Sequence, residues 1–169
     1  MEKEIHNKKT STQMKISRLN ICNFRGIKSA ELYFNGHSVL VGDNNVGKST
    51  IIEAIDLVLG PERLSRYPVI DEHDFFAGDY IGIEGVEIQI EIEIVIIDLN
   101  EEQLRHFRSN IEWWDSENLK LIDNPPVNVI DNPVIFPSLR VCFKGHMMRK
   151  KMIFRVTHSF AHLFLMNWS

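Results

Sequence analysis

Two glycines, a lysine and a serine stand at the spacing G-x-x-x-x-G-K-S, beginning at Gly42. Glycines let a backbone curl closely around an anion, because no Cβ stands in the way. Loop amides, the amino end of a following helix and a lysine all attract phosphate, and a hydroxyl beside that lysine can ligate Mg²⁺. The motif therefore predicts a loop that binds a nucleoside triphosphate, most simply ATP, together with Mg²⁺.

The predicted binding residues form one continuous run along the chain. They are Gly42, Asp43, Asn44, Asn45, Val46, Gly47, Lys48, Ser49 and Thr50. Within this run, Lys48 is predicted to reach the β- and γ-phosphates, and Ser49 is predicted to be the Mg²⁺ ligand.

The motif lies in a strand–loop–helix context, which is the context it requires. Residues 38–41 are apolar and predict a strand that enters the loop, and residues 51–59 carry apolar side chains at helical spacing. Gly60 and Pro61 are predicted to end this helix, the glycine as a left-handed cap and the proline as a residue that cannot continue it.

The composition indicates one globular domain. The chain has 169 residues and a net charge of −4, so no overall basic character points to nucleic acid, although local patches could. Cys22 and Cys142 stand alone in apolar stretches and are predicted to be buried thiols in a reducing compartment. We find no signal peptide and no apolar run long enough for a membrane span, so we expect a cytoplasmic protein.

Alternating apolar and polar residues predict most of the remaining elements. Residues 1–13 are polar and are predicted to be a disordered leader. Strands are predicted at Lys15–Phe24, at 30–34 and at 139–143. Residues 86–94 alternate Ile with polar residues, mostly Glu, and predict an antiparallel strand near a sheet edge, with Ile inward and a solvated Glu face.

Three further patterns have a structural rather than a chemical interpretation. Asn100 and Gln103 form a capping-box pattern that predicts a helix over 101–109. The acidic run 71–74 could be a metal site, but no residues at the spacing of metal ligands support it, so we favour a solvated loop. Trp113 and Trp114 are typical of packing rather than of base stacking.

The amino-terminal part resembles the ABC-type ATPases of the RecF/SMC/OLD group. The resemblance rests on the strand Lys15–Phe24, the sequence Asn-Phe-Arg-Gly at 23–26, the phosphate loop and Ile-Glu-Ala-Ile at 52–55. Asp-Phe-Phe at 74–76, followed by an Ile/Glu-rich strand, is most similar to the OLD family, named for overcoming lysogenization defect. These are ATP-dependent endonucleases of bacteria and phages, and the RecF/SMC-type DNA-repair ATPases are the alternative.

The resemblance implies an α/β P-loop NTPase fold: a partial, truncated ABC-type ATPase head, its amino-terminal lobe, with an antiparallel side sheet. It implies that Arg25 contacts the phosphate or base of the nucleotide, whereas the residue alone is equally well a surface arginine at a turn. In full-length members it implies a homodimer that sandwiches ATP and acts on DNA.

Several motifs of full-length members are missing from these 169 residues. They are the signature Ser-Gly-Gly-type motif, the Walker B strand ending in Asp-Glu, the switch His and the carboxylates of the Toprim-type nuclease domain. We therefore expect an ATP-binding piece that cannot hydrolyse ATP alone. A nucleotide-binding module without turnover is the competing interpretation.

The domain organisation predicted is a leader at 1–13, the ATPase part at 14–145 and an atypical tail at 146–169. No Asp or Glu follows Asp131, and residues 144–155 are basic, so the tail is either a nucleic-acid patch or foreign to the family. Codons shifted by one base across 146–154 can encode an acidic run like the one that follows this strand in OLD-like proteins. We hypothesise a frameshift near Gly145 and expect an irregular, loosely docked tail.

Overall fold

The computed structural model describes residues 13–43, 47–60, 69–123 and 132–148, together with the backbone of 151–157. The leader and the end of the tail lie outside this part of the chain. The described strands are β1 (Lys15–Phe24), β2 (Ile27–Tyr33), β3 (Ile90–Ile97), β4 (Ile111–Asp115), β5 (Lys120–Ile122), β6 (Ile135–Met148) and β7 (Lys151–Thr157). The helices are α1 (Lys48–Leu59) and α2 (Glu101–His106), and short 3₁₀ turns lie between them.

All seven described strands form one antiparallel sheet, in the order β2-β1-β3-β6-β4-β5. The long strand β6 pairs with β4 through its first residues and with β7 from Cys142 to Met148. Tyr33 on β2 and Trp114 on β4 have ring centroids 6.4 Å apart, although their strands are not neighbours. The sheet is therefore curled, since only curvature brings these two strands together.

Helix α1 covers one face of the sheet and builds the core there. Ala54 and Leu57 of α1 are fully buried in one cluster with Leu19, Ile92 and Ile94. Period-two alternation puts every second side chain of a strand on this face, and the helix buries them. The predicted alternation is confirmed from Ile90 to Ile94, where it marks a sheet with a helix on one side, whereas residues 86–89 of the predicted strand lie outside β3 and Val86 is 65% exposed.

The opposite face of the sheet carries cross-strand ion pairs rather than free, solvated carboxylates. Glu93 on β3 pairs with Arg18 on β1 and with Arg140 on β6, and its side chain is only 13% exposed. Arg140 also donates to Glu112 at 2.8 Å. The predicted edge position of this strand is wrong, because β3 lies between β1 and β6. Opposite charges on neighbouring strands explain how the acidic alternation fits in the middle of a sheet.

The segment before the phosphate loop is the clearest departure from the sequence prediction. Residues 38–43 form no strand, and Val39 and Val41 are 84% and 89% exposed. A β-branched run becomes a strand only when a neighbour accepts its backbone hydrogen bonds, and the described residues supply none here. The predicted strand at 38–41 is therefore not formed.

Two predicted helix ends have different outcomes. At α2 the capping box is confirmed, because the Asn100 side chain accepts from Gln103 N–H and the Gln103 side chain accepts from Asn100 N–H. Gly60 ends α1 but is not left-handed, since its φ is −81°. Glycine is favoured at this position because a larger residue would clash: a Cβ there would lie 2.5 Å from the carbonyl oxygen of Asp56.

Residues 146–148 and 151–157 are not irregular, contrary to expectation. Strand β6 runs through Gly145 to Met148 and pairs with β7, for example Lys144 with Arg155. Met147 is buried in the core cluster. Residues 158–169 lie outside the described part of the chain.

The buried-thiol prediction is half correct. Cys142 is a buried free thiol, and burial, followed by the nearby charge of Glu91, raises its pKa to about 11. Cys22 is also free but only half-buried. Trp114 is fully buried, as packing predicts. Neither described helix is long and apolar enough to cross a membrane.

Candidate nucleotide-binding site

The phosphate loop leads directly into the amino end of α1. Gly47 takes a left-handed conformation with φ 89°, which glycine adopts without steric cost, and the helix begins at Lys48. Among the residues that the structure describes, no side chain caps this end of the helix, and its first turn holds no acidic residue. The unpaired amides and the positive end of the helix dipole are consequently available to an anion.

Lys48 reaches back across the loop. Its Nζ donates to the carbonyl oxygen of Gly42 at 2.7 Å and to that of Asp43 at 2.5 Å. Both carbonyls belong to the start of the predicted loop, so the ammonium group of Lys48 is held beside that part of the loop. Ser49 is exposed and Thr50 half-buried in the same helical turn. Asn44, Asn45 and Val46 lie outside the described residues.

Gly47 is supported from below by β2. A Cβ added to Gly47 would lie 3.6 Å and 3.7 Å from two side-chain carbons of Ile27, the first residue of β2. These are ordinary packing distances, so Ile27 is in near contact with the end of the loop. The first residue after the turn between β1 and β2 therefore lies beside the end of the loop.

Arg25, at that turn, is paired with two carboxylates. Its Nε donates to Asp74 Oδ1 at 2.8 Å, and its Nη1 donates to Glu53 on α1. Burial opposes the charge of the guanidinium, but Asp74 and then Glu53 outweigh it and raise the pKa of Arg25 above its usual value. The structure thus places Arg25 within the fold, and its predicted nucleotide contact stays a prediction.

The acidic run 71–74 is a capped turn rather than a solvated loop. The Asp71 side chain accepts from His73 N–H at 2.8 Å, and Asp71 N–H donates to Asp74 Oδ2 at 3.1 Å. Glu72 and His73 are exposed as predicted, but the Asp74 side chain is only 5% exposed. Among the described residues no group of His, Cys, Asp and Glu could hold a metal ion.

An apolar cleft of about 920 Å³ adjoins the loop, between α1, the start of β1 and residues 36–40. Its walls include Met14, Phe34, Leu40, Ile51 and Ile52, and Lys48 and Ser49 line it beside the loop. Phosphate groups of a ligand could thus bind near Lys48 and Ser49, and a flat apolar group of the same ligand could lie in the adjoining apolar cleft.

Sequence reasoning missed Glu53 and Asp74 as members of this region. Arg25 meets them 28 and 49 residues along the chain, and no spacing rule relates such positions. The available signals were Ile-Glu-Ala-Ile at 52–55 and Asp-Phe-Phe at 74–76, which marked both segments by resemblance without indicating that Glu53 and Asp74 contact Arg25.

The residues 14–153 match the family model described as AAA ATPase domain. The chain belongs to this family. The match confirms the predicted fold class, an α/β P-loop ATPase with an antiparallel sheet, and it extends beyond Gly145 into β7. With relatives of the RecF and Rad50 types, described next, it places the chain in the ABC-type group of AAA ATPases.

Similar curated proteins share short stretches with this AAA ATPase domain. Uncharacterized protein YbjD of Escherichia coli K12 is 37% identical over 71 residues, which are 42% of this chain and 13% of YbjD. DNA replication and repair protein RecF of Rhizobium etli is 31% identical over 103 residues, 58% of this chain and 28% of RecF. The DNA double-strand break repair Rad50 ATPase of Methanopyrus kandleri is 45% identical over 53 residues, 31% of this chain and 6% of Rad50.

The chain therefore spans only a small part of these relatives. Among solved structures, one from work on the ATP-driven dimerization and DNA-stimulated activation of SMC ATPases is 16% identical, with a TM-score of 0.42. That alignment covers 89% of this chain and 75% of the other.

Proposed function

We propose that this AAA ATPase domain binds ATP with Mg²⁺ at residues 42–50. The observation that carries the proposal is the amino end of α1, which no side chain of the described residues caps, with left-handed Gly47 before it and Lys48 Nζ bound to the carbonyls of Gly42 and Asp43. An anion is the natural partner of such an end, because it satisfies the free amides and the helix dipole together.

The residues fit this ligand in kind. Lys48 exchanges its two carbonyl partners for phosphate oxygens, and the amides of residues 47–50 donate to the same phosphate groups. The exposed hydroxyl of Ser49 takes a Mg²⁺ ligand position. Mg²⁺ supplies charge that offsets the repulsion among phosphate oxygens. Asn44, Asn45 and Val46 complete the proposed loop.

For the whole protein, we propose a cytoplasmic ATPase that processes DNA, of the OLD-like ATP-dependent endonuclease type, working as a homodimer. Asn-Phe-Arg-Gly at 23–26 and Asp-Phe-Phe at 74–76 support the OLD type. The RecF/SMC type is the second candidate, favoured by relatives whose names include DNA replication and repair. The resemblance implies a contact between Arg25 and the nucleotide in either version, whereas in the structure the guanidinium is paired with Glu53 and Asp74.

We further propose that the 169-residue chain binds ATP without turning it over. Phosphoryl transfer to water requires a group that positions the water and charges that stabilise the transition state. In full-length members the Walker B acid, the signature motif and the switch His supply this group and these charges. These 169 residues contain none of the three. In a steady-state assay, we expect the chain to release inorganic phosphate no faster than ATP hydrolyses without protein.

Calorimetric titration of the full chain with Mg-ATP tests the binding proposal. We expect a Kd of about 1 μM or weaker, corresponding to about −8 kcal/mol, because a single loop lacks the contacts of a closed dimer. Lys48→Ala should remove measurable binding by deleting the phosphate cation. Lys28→Ala is the matched control, since Lys28 is an exposed lysine on β2. Equal affinity in the Lys48→Ala variant and the wild type would overturn the proposal.

A further inference from the structure

The turn between β1 and β2 is held in an unusual backbone conformation. Asn23 and Arg25 both have positive φ, at 55° and 48°, which costs a residue with a side chain energy unless its surroundings impose it. Here they do: Arg25 N–H donates to the carbonyl oxygen of Asp74 at 2.8 Å, and Asn23 Nδ2 donates to that of Gln89 at 3.0 Å. Phe24 also forms a β-bridge with Phe75.

The side chain of Arg25 extends this attachment to a third element. Asp74 anchors one side of the guanidinium, and Glu53, in the second turn of α1, binds the other. Asp74 is buried and Arg25 compensates its charge, whereas Glu53 is half-exposed and the more easily released partner. The result is a bridge from segment 71–75 through the turn to the helix.

The same turn also contacts the amino end of α1. Ile27, two residues beyond Arg25, lies beside Gly47 at the start of α1. Arg25 itself binds Glu53, in the second turn of α1. Two contacts along one helix fix both its position and its direction. Within the described part of the chain no side chain caps this end of α1, so the bridge bears on where the amides of residues 47–50 point.

We propose that Arg25, held between Glu53 and Asp74, is a positioning residue that orients the amino end of α1 for the nucleotide. The inference rests on the proposed ATP site. It assigns Glu53 a part in that site although Glu53 carries the same sign of charge as the ligand. Loss of Glu53 lowers ATP affinity under this proposal, because the helix end loses its attachment. Direct contact of Arg25 with phosphate gives the opposite result, since loss of Glu53 would then free the guanidinium for the ligand.

The experiment is a set of Mg-ATP titrations by calorimetry on the full chain, with a thermal melt of each variant. We expect Glu53→Ala to raise Kd about fivefold or more. Asp56→Ala, which removes an exposed acid from the same helix, should leave Kd unchanged. Arg25→Ala and the double variant with Glu53→Ala should have the same Kd, because both break one bridge.

Arg140→Gln separates positioning from general stability. Arg140 also pairs with two carboxylates, Glu93 and Glu112, but on the opposite face of the sheet. It should lower the melting temperature as Arg25→Ala does and leave Kd unchanged. An increase of Kd in Arg140→Gln, matching its loss of stability, would reduce the bridge to a purely structural role and overturn the inference.

Lys48→Ala in the same titrations separates the two proposals. If Lys48→Ala abolishes binding and Glu53→Ala binds like Asp56→Ala or more tightly, the positioning inference is wrong and the ATP site stands. If Lys48→Ala binds ATP like the wild type, or the wild type does not bind, the proposed site fails and the inference fails with it.

Discussion

Apolar β-branched side chains are buried in the core sheet but exposed in the segment that enters the phosphate loop. Ile92 and Ile94 on β3 are fully buried, whereas Val39 and Val41, equally apolar and β-branched, are almost fully exposed. The difference is the neighbour: β3 lies between β1 and β6 under α1, and residues 38–43 pair with no described strand. Burial therefore follows the available partner rather than the residue type.

The largest effect that this comparison predicts is on the sheet side. Ile92→Ala removes a fully buried side chain from the core and should lower the free energy of unfolding by about 2–5 kcal/mol. Urea unfolding followed by circular dichroism measures the change. A loss below about 1 kcal/mol would mean that the core between β3 and α1 is loosely packed.

The sequence predicted the sheet side well where local alternation decides structure. Strand β1 has the predicted bounds Lys15–Phe24, and α2 has the predicted capping box. It could not predict that β3 lies in the middle of the sheet, because a period of two fixes which face a residue occupies and not which strands lie beside it. The partners Arg18 and Arg140, which make a central Glu93 tolerable, come from distant parts of the chain.

The second prediction concerns the end of the sheet. A chain ending at Gly145 loses Met147 from the core and loses β7 from the side of β6. We expect its unfolding free energy to fall by at least about 1.5–3 kcal/mol, the value of burying one such side chain. Denaturant midpoints of the two chains give the answer. An unchanged midpoint would instead support the frameshift hypothesis, in which the tail does not pack with the domain.

The smallest effect is expected at the entrance to the loop. Val41→Ala should change the unfolding free energy by no more than about 0.5 kcal/mol, because the side chain is already in solvent. Val95→Ala is the matched control, the same substitution at a buried position of β3, and should cost clearly more. Equal losses in the same urea titration would show that residues 38–41 pack as the predicted strand after all.

The site was predictable to the extent that its chemistry is local. The spacing of Gly42, Gly47 and Lys48 identified the loop, because all three residues belong to one short segment of the chain. Glu53 and Asp74 were not predictable, since their meeting with Arg25 depends on how the turn, the helix and the 71–75 segment pack together. A motif specifies the groups that touch a ligand, whereas the groups that position it are set by tertiary structure.

The most direct test of the central claim is an amide NMR spectrum of the full chain, recorded as Mg-ATP is added. Binding at the amino end of α1 should shift the backbone amides of Gly47, Lys48 and Ser49 most, and Ile27 beneath them less. Amides near Glu93, on the charged face of the sheet, should not move. Shifts centred on that face, or a spectrum unchanged at millimolar nucleotide, would contradict the assignment of residues 42–50 as the ATP site.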